Sequence, residues 1–275
     1  MDIDACTHST AVAKGVSFLN LDISLVSHGH GALVAQALQS LATSLHGSSL
    51  QVRVLLTLNL PEPDLERSLQ AQAWPFALEF IRNAKPLGFG ANHNQAFARC
   101  QAPWFAVVNP DIFWSAGDAS FWHALQQDIW PARVGVVCPQ QRDADGHRQD
   151  FTRALMTPWG LAARVWRRWR GVAPSGVAAS VAQADWVNGA CMVFRAQAFA
   201  GLKGFDERYF MYCEDTDICL RLQLAGWTMQ GVDWAVVHDA RRNTGRSVRH
   251  LAWHLRSMMR LWLSGAFWRF VRRVR

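Results

Sequence analysis

The sequence predicts an α/β fold, a mostly parallel central sheet with helices on both faces. Three observations carry that expectation. Short apolar runs alternate with helical-period segments through the first half of the 275 residues. Half of the residues are hydrophobic and 18% are charged, enough apolar material for a sizeable core. Asn, Asp and His residues fall directly after the apolar runs, at the carboxyl ends of the expected strands, where such sheets bind ligands.

The elements follow in order. Residues 1–20 are polar, carry acids and lack the apolar stretch of a signal peptide, so they read as a lead-in. Leu21 to Ser27 reads as a strand that ends in the turn-prone His28-Gly29-His30-Gly31. Leu33, Ala37, Leu38, Leu41 and Leu45 sit at helical spacing. Val52 to Leu58 is a second buried strand, followed by a turn at Pro61 and Pro63 and a short helical piece. Phe76 to Arg82, Trp104 to Val108 and Val134 to Cys138 are further strands, with a helix from Ala91 to Arg99. Residues 140–183 break the alternation: a polar loop to Asp150, a Trp- and Arg-rich stretch from Trp159 to Arg170, and a small-residue segment to Ser180. They read as an insertion over the cleft. After Asp185 come a strand, an acidic segment at 204–217, a helix to Ala225 and short strands to Val237. One domain at 21–247 therefore precedes a basic amphipathic helix at 248–275, in which Leu251, Leu255, Met258, Met259 and Trp262 share a face.

Charge is unevenly placed. The net charge is +7, yet residues 240–275 hold ten Arg and no acid, and Arg outnumbers Lys 25 to 3. Guanidinium forks match phosphate oxygens, and a basic helix with Trp and Phe suits an anionic membrane surface. Packing of the tail on the body is the alternative. Disorder is excluded by 14 Trp and 15 Phe. The six cysteines, Cys6, Cys100, Cys138, Cys191, Cys213 and Cys219, form no C-x-x-C pair, which argues for reduced thiols and against a zinc ribbon. No run of 18 apolar residues suggests a membrane-spanning helix. The expected location is cytoplasmic, peripheral at the inner face of the membrane.

Four constellations can carry chemistry. Asn109-Pro110-Asp111 delivers a carboxylate to a strand end, where it can hold Mg²⁺ or Mn²⁺ with diphosphate oxygens; the same triplet is also good turn chemistry. Glu214, Asp215 and Asp217 open a helix, where the dipole favours acids, and Asp217 faces Arg221 four residues on. Asp215 is less well explained that way: Phe210 and Tyr212 would desolvate it and raise its pKa toward that of a general base. Gly88-Phe89-Gly90 before a helix start can bring backbone N–H groups to phosphate, or simply form a tight turn. His238 at a strand end can be a neutral metal ligand, with Arg241, Arg242 and Arg246 behind it to neutralise a leaving diphosphate; a satisfied His with solvated Arg is the alternative.

The runs NAKPLGFGANHNQAF, VVNPDIFW, DWVNGACMVFR, GLKGFDERYFMYCEDTDICLRLQLAGW and VVHDARRNTGRS occur in one order. Together they resemble the inverting family 2 glycosyltransferases, most of all their rhamnosyltransferase-like branch. The resemblance implies a GT-A fold, a nucleoside-diphosphate sugar donor, a divalent cation and a glycan or lipid-linked acceptor in surface polysaccharide synthesis. It implies Asp215 as base with Glu214 in support, Asp111 and His238 at the metal, and Gly189 and Ala190 along the sugar. It also implies Asn83, Gly88, Gly90 and Asn94 on the nucleotide side. The family's base-reading Asp at the end of the second strand is absent, with Leu58 in its place, so base recognition falls to Asn59 or Glu62 or is lost. Two other classes compete. A nucleotidyltransferase needs a basic Gly-rich loop after the first strand, which His28 to Gly31 lacks. A non-catalytic module binding nucleic acid or a partner through the Arg tail would leave the acidic pair without a purpose, and no nucleic-acid partner is expected.

Overall fold

The computed structural model describes residues 20–115, 119–170, 180–239 and 248–274. Its first half is β1 (Leu21–Ser27), α1 (Gly31–Ser44), β2 (Val52–Leu58), α2 (Pro63–Gln70), β3 (Ala77–Arg82), α3 (Phe89–Phe97) and β4 (Trp104–Val108). The helices are the crossovers that parallel strands require. The second half holds β5 (Ile112–Trp114), α4 (Ser120–Gln127), β6 (Val134–Arg142), β7 (Thr152–Arg153), α5 (Pro158–Trp169), β8 (Trp186–Val187) and β9 (Cys191–Arg195). Then come α6 (Ala196–Gly201), α7 (Glu214–Leu224), β10 (Thr228–His238), α8 (Val248–Trp262) and α9 (Gly265–Val274).

Eight strands form one sheet in the order β3-β2-β1-β4-β9-β6-β10-β5, and β7 pairs with β8. The strands β1 to β4 are parallel, β9 is antiparallel to β4 and β6, and β5 is antiparallel to β10. Burial on both faces is why β4 reads as an unbroken apolar run. On one face α1 and α4 supply Val34, Leu38, Leu41, Phe121 and Trp122; on the other Ala96, Phe199, Ile218 and Leu222 pack against Phe105 and Phe194.

One carboxylate lies inside this core. Asp22 of β1 is wholly buried; it accepts from Arg53 Nε at 2.7 Å and Nη2 at 3.0 Å, and from the N–H groups of Gln101 and Ala102 at 2.7 and 3.1 Å. Burial pushes its pKa up, but these bonds outweigh burial and hold it below the usual value.

Three sequence expectations need correction. The stretch from Gln140 is not all loop: β6 runs on to Arg142 and bridges Arg148. The short strands before Val237 are one strand, β10, with irregular register between Val232 and Ala235. The described part of the 140–183 insertion, by contrast, touches both the C-terminal helices and the end of β10: Trp262 Nε1 donates to Met156 O at 2.9 Å, the Trp159 and Trp268 rings lie 5.9 Å apart, and Gln149 Nε2 donates to His238 O at 2.7 Å. The basic tail is two helices with different fates. In α9, Phe267 and Phe270 are buried against Tyr209, Leu220 and Leu261, so they cannot insert into lipid. In α8, Val248, Leu251, Leu255 and Met259 are exposed, and Leu263 beyond its end continues the stripe.

Candidate active site

The site gathers at the carboxyl ends of β4 and β10, next to the start of α7. After β4 the chain turns through Asn109-Pro110-Asp111 into β5, and the antiparallel pairing of His238 with Ile112 brings β10 back beside that turn. Asp111 Oδ2 and His238 Nε2 lie 3.7 Å apart. Asp111 Oδ1 and His238 Nδ1 are buried without a hydrogen-bond partner. Burial raises the Asp111 pKa, while the neighbouring His238 pulls it down. Burial likewise lowers the His238 pKa, which favours the neutral imidazole. A carboxylate and a neutral imidazole with unpartnered buried atoms fit a divalent cation.

The acidic pair is held differently. Tyr212 and Cys213 both take left-handed backbone conformations, with φ of 72° and 65°, uncommon for residues with side chains. That bend aims Asp215 back at β9: Asp215 Oδ2 accepts from Gly189 N at 3.1 Å, and Oδ1 from Thr216 N at 2.7 Å. Burial raises the Asp215 pKa against those hydrogen bonds. Glu214 is more deeply buried, its Oε2 has no partner, and burial followed by repulsion from Asp215 pushes its pKa well above the usual value. The two carboxyls titrate as a pair whose burial disfavours two negative charges. Asp217 is structural, as its spacing indicates: it pairs with Arg221 at 2.6 Å, and Arg221 also donates to Leu202 O and Gly204 O.

Gly189 and Ala190 join the two clusters. Gly189 N donates to Asp215, and Ala190 O accepts from Asn109 N at 2.9 Å. A Cβ on Gly189 would come within 3.3 Å of Phe89 and 3.4 Å of Asp215. The wall expected along the sugar therefore runs between Asp215 and the Asp111 turn.

The nucleotide-side residues have been given other work. Asn59 is buried: its Nδ2 contacts His28 Nδ1 at 3.1 Å and donates to Leu87 O at 3.0 Å, while its Oδ1 accepts from Asn83 Nδ2 and Leu87 N, both at 2.8 Å. Its hydrogen-bonding capacity is used within the protein, which leaves it none for a base. Asn83 also donates to Asn92 Oδ1 at 2.7 Å. A Cβ on Gly88 would lie 2.6 Å from Phe210 O, and one on Gly90 2.6 Å from Phe205 Cβ. The missing side chains thus admit the close approach of the acidic segment. Asn94 clamps that segment from below, donating to Phe205 O and accepting from Phe205 N. Arg241, Arg242 and Arg246 lie outside the described residues.

Glu62 is the other candidate for base recognition. Glu62 Oε1 accepts from Gly29 N at 3.1 Å, which places a carboxylate over the turn after β1. Sequence reasoning passed over α8. Ser257 Oγ donates to Met211 O at 2.8 Å, Tyr212 Oη and His250 Nδ1 are 2.8 Å apart, and Phe210 packs on Trp253 with centroids 4.9 Å apart. Only a fold brings residues 250–257 onto 210–212, so no local pattern could signal it.

No family model matches the chain. It is 35% identical over 175 residues to N-acetylglucosaminyl-diphospho-decaprenol L-rhamnosyltransferase of Mycobacterium tuberculosis, a match covering 56% of this chain and 53% of the relative. It is 42% identical over 78 residues to rhamnosyltransferase WbbL of Escherichia coli, covering 28% and 30%. The chain spans about half the length of the first curated relatives it matches. Among solved structures it resembles the mannosyltransferase PcManGT of Pyrobaculum calidifontis in complex with GDP-Man and Mn²⁺, with TM-score 0.58, 14% identity, and coverage of 88% and 65%. It also resembles GalNAc-T7 with UDP, GalNAc and Mn²⁺, with TM-score 0.57, 12% identity, and coverage of 82% and 44%. In sequence the chain is similar over part of its length to curated rhamnosyltransferases, and it shares the GT-A fold of solved glycosyltransferase structures.

Proposed function

We propose that this protein is an inverting, metal-dependent glycosyltransferase. It moves a sugar, a deoxyhexose such as rhamnose, from a nucleoside diphosphate to a glycan or lipid-linked acceptor in cell-surface polysaccharide synthesis. The observation that carries the reading is the placement of Asp215 and the Asp111–His238 pair on either side of Gly189-Ala190. The Mycobacterium tuberculosis relative, whose name specifies a lipid-linked diphosphate acceptor, supports the acceptor class.

A sugar hydroxyl is a poor nucleophile until its proton is removed. Asp215, desolvated and aimed at the Gly189 wall, takes that proton as the hydroxyl attacks the anomeric carbon from the face opposite the nucleotide, which inverts configuration. Burial and repulsion from Asp215 raise the Glu214 pKa, so the pair resists carrying two negative charges. Asp111 and His238 would hold Mg²⁺ or Mn²⁺, which when bound supplies charge stabilisation to the leaving diphosphate.

Among the described residues no helix is long and apolar enough to cross a membrane. The exposed stripe Val248, Leu251, Leu255, Met259 and Leu263, flanked by the exposed Arg249 and Arg256, supports peripheral docking of α8 on an anionic leaflet at the cytoplasmic face.

The test is calorimetric titration of nucleotide sugars with Mg²⁺, Mn²⁺ or chelator present, paired with a transfer assay. Donor binding is expected to require the ion and to be lost in Asp111→Ala. Equal donor affinity in chelator would remove the metal from the mechanism.

A further inference from the structure

Outside the cluster of Asp111, His238 and Asp215, the turn before α7 and the inner face of α8 enclose a cavity of about 300 Å³ lined by Arg208, Phe210, Trp253, Arg256 and Ser257. We propose that this cavity is a glycosyl-phosphate subsite that seats the acceptor, an inference that rests on the transferase reading above.

The lining is chemically specific. It holds two guanidinium groups, two aromatic rings and one hydroxyl, with no carboxylate among them. Phe210 and Trp253 lie 4.9 Å apart at 40°, and Phe210 is 39% exposed, so a sugar ring can bury its C–H face against them. Arg208 is turned by Asp206, which accepts from its Nε and Nη2 at 2.6 to 3.0 Å. Arg256 is exposed and has no acidic partner among the described residues, and it supplies the uncommitted charge for a phosphate. The Ser257 hydroxyl is spent on Met211 O and fixes the wall. At the lower end of small-molecule sites, which run from about 300 Å³ upward, the volume suits a phosphorylated monosaccharide.

The cavity shares a frame with the proposed base. Phe210 O accepts from Phe89 N at 2.9 Å, a Cβ on Gly189 would lie 3.3 Å from the Phe89 ring, and Gly189 N donates to Asp215. A sugar stacked on Phe210 therefore sits on a turn that packs, by way of Phe89, beside the Gly189 that holds Asp215.

The test is ligand-observed NMR titration of the full chain with N-acetylglucosamine 1-phosphate, with no nucleotide or metal added. Free N-acetylglucosamine and inorganic phosphate serve as controls. The sugar phosphate is expected to bind more tightly than either control. Arg256→Gln should weaken it by about tenfold, the loss of one charge-assisted hydrogen bond. Trp253→Ala should weaken it further and Trp253→Phe restore part of that loss, while Asp111→Ala leaves binding unchanged. A second arm uses phosphatidylcholine vesicles with and without polyprenyl-diphosphate-linked N-acetylglucosamine. Tighter capture of the lipid-linked form, reduced by Arg256→Gln, assigns the subsite to a lipid headgroup; equal capture with soluble binding intact assigns it to a free sugar phosphate. Sugar-phosphate binding that is indifferent to both Arg256→Gln and Trp253→Ala, or that is lost in Asp111→Ala, overturns the proposal. Failure of the transferase reading registers separately, as absent metal-dependent binding of nucleotide sugars.

Discussion

Two ends of the same sheet treat buried carboxylates in opposite ways. At the amino end of β1, Asp22 is ringed by Arg53 and two backbone N–H groups and its pKa is held down. At the carboxyl ends, Asp111, Glu214 and Asp215 have pKa values pushed up by burial, and Asp111 Oδ1 and Glu214 Oε2 have no hydrogen-bond partner. The satisfied charge staples β1 to β2 and to the approach to β4. In the proposed mechanism the others meet an ion or a proton. One end of the sheet holds the fold and the other holds the chemistry.

Breaking the reactive end should leave the fold intact. Asp215→Asn is expected to lower turnover by about 10²–10⁴-fold, the usual worth of a general base, with donor affinity little changed. Turnover and calorimetry of the purified variant check it, and turnover near that of the parent would sink the base assignment.

Breaking the structural end should do the reverse. Asp22→Ala leaves Arg53 buried beside an empty site and is expected to cost about 3–5 kcal/mol, the range for halving a buried pair. Urea unfolding of the variant measures it, and a midpoint like the parent's would contradict the staple.

Stability against pH sharpens the contrast, because the signs differ. Asp22 has a lowered folded pKa, so its contribution is present above the unfolded carboxylate value and is lost as pH falls through the folded one. Glu214 has a raised folded pKa, so stability is full below the unfolded value and is lost as pH rises through the folded one. Glu214→Gln should therefore gain stability over the parent as pH rises and match it in acid. Turnover should fall as pH drops through the raised Asp215 pKa, and Glu214→Gln should leave that acid limb in place. Thermal melts and pH–rate profiles of the two proteins test both statements.

The smallest effect is expected at the surface. Replacing Leu251, Leu255 and Met259 together with Ser should weaken co-sedimentation with anionic liposomes and leave the melting temperature nearly unchanged, since all three are exposed. The parent's binding should weaken with salt without vanishing. If parent and variant pellet alike, α8 is not the docking face.

The strands were legible because burial on both faces leaves apolar runs without alternation, most plainly in β4. Asp111, Asp215 and His238 were legible because each follows or opens an element at the edge where a parallel sheet places its ligands. The work of Gly88, Gly90 and Asn94 was not, since what they touch lies more than a hundred residues away at Phe205 and Phe210. The tail shows the same limit. Periodicity reveals that α8 and α9 each have an apolar face, yet only the packing tells that Tyr209 and Leu220 cover the one on α9.

The bonds from α8 to the turn at 210–212 also fix a distance. His250, Trp253 and Ser257 grip that turn, while Leu251, Leu255 and Met259 face solvent on the same helix. A helix with its side chains is about 10–12 Å across. With the outer stripe resting on headgroups, α8 becomes a spacer that sets how far above the bilayer the Phe210 turn rides. An acceptor hydroxyl held at about that height on a lipid carrier meets the turn, whereas one several sugars further out passes over it.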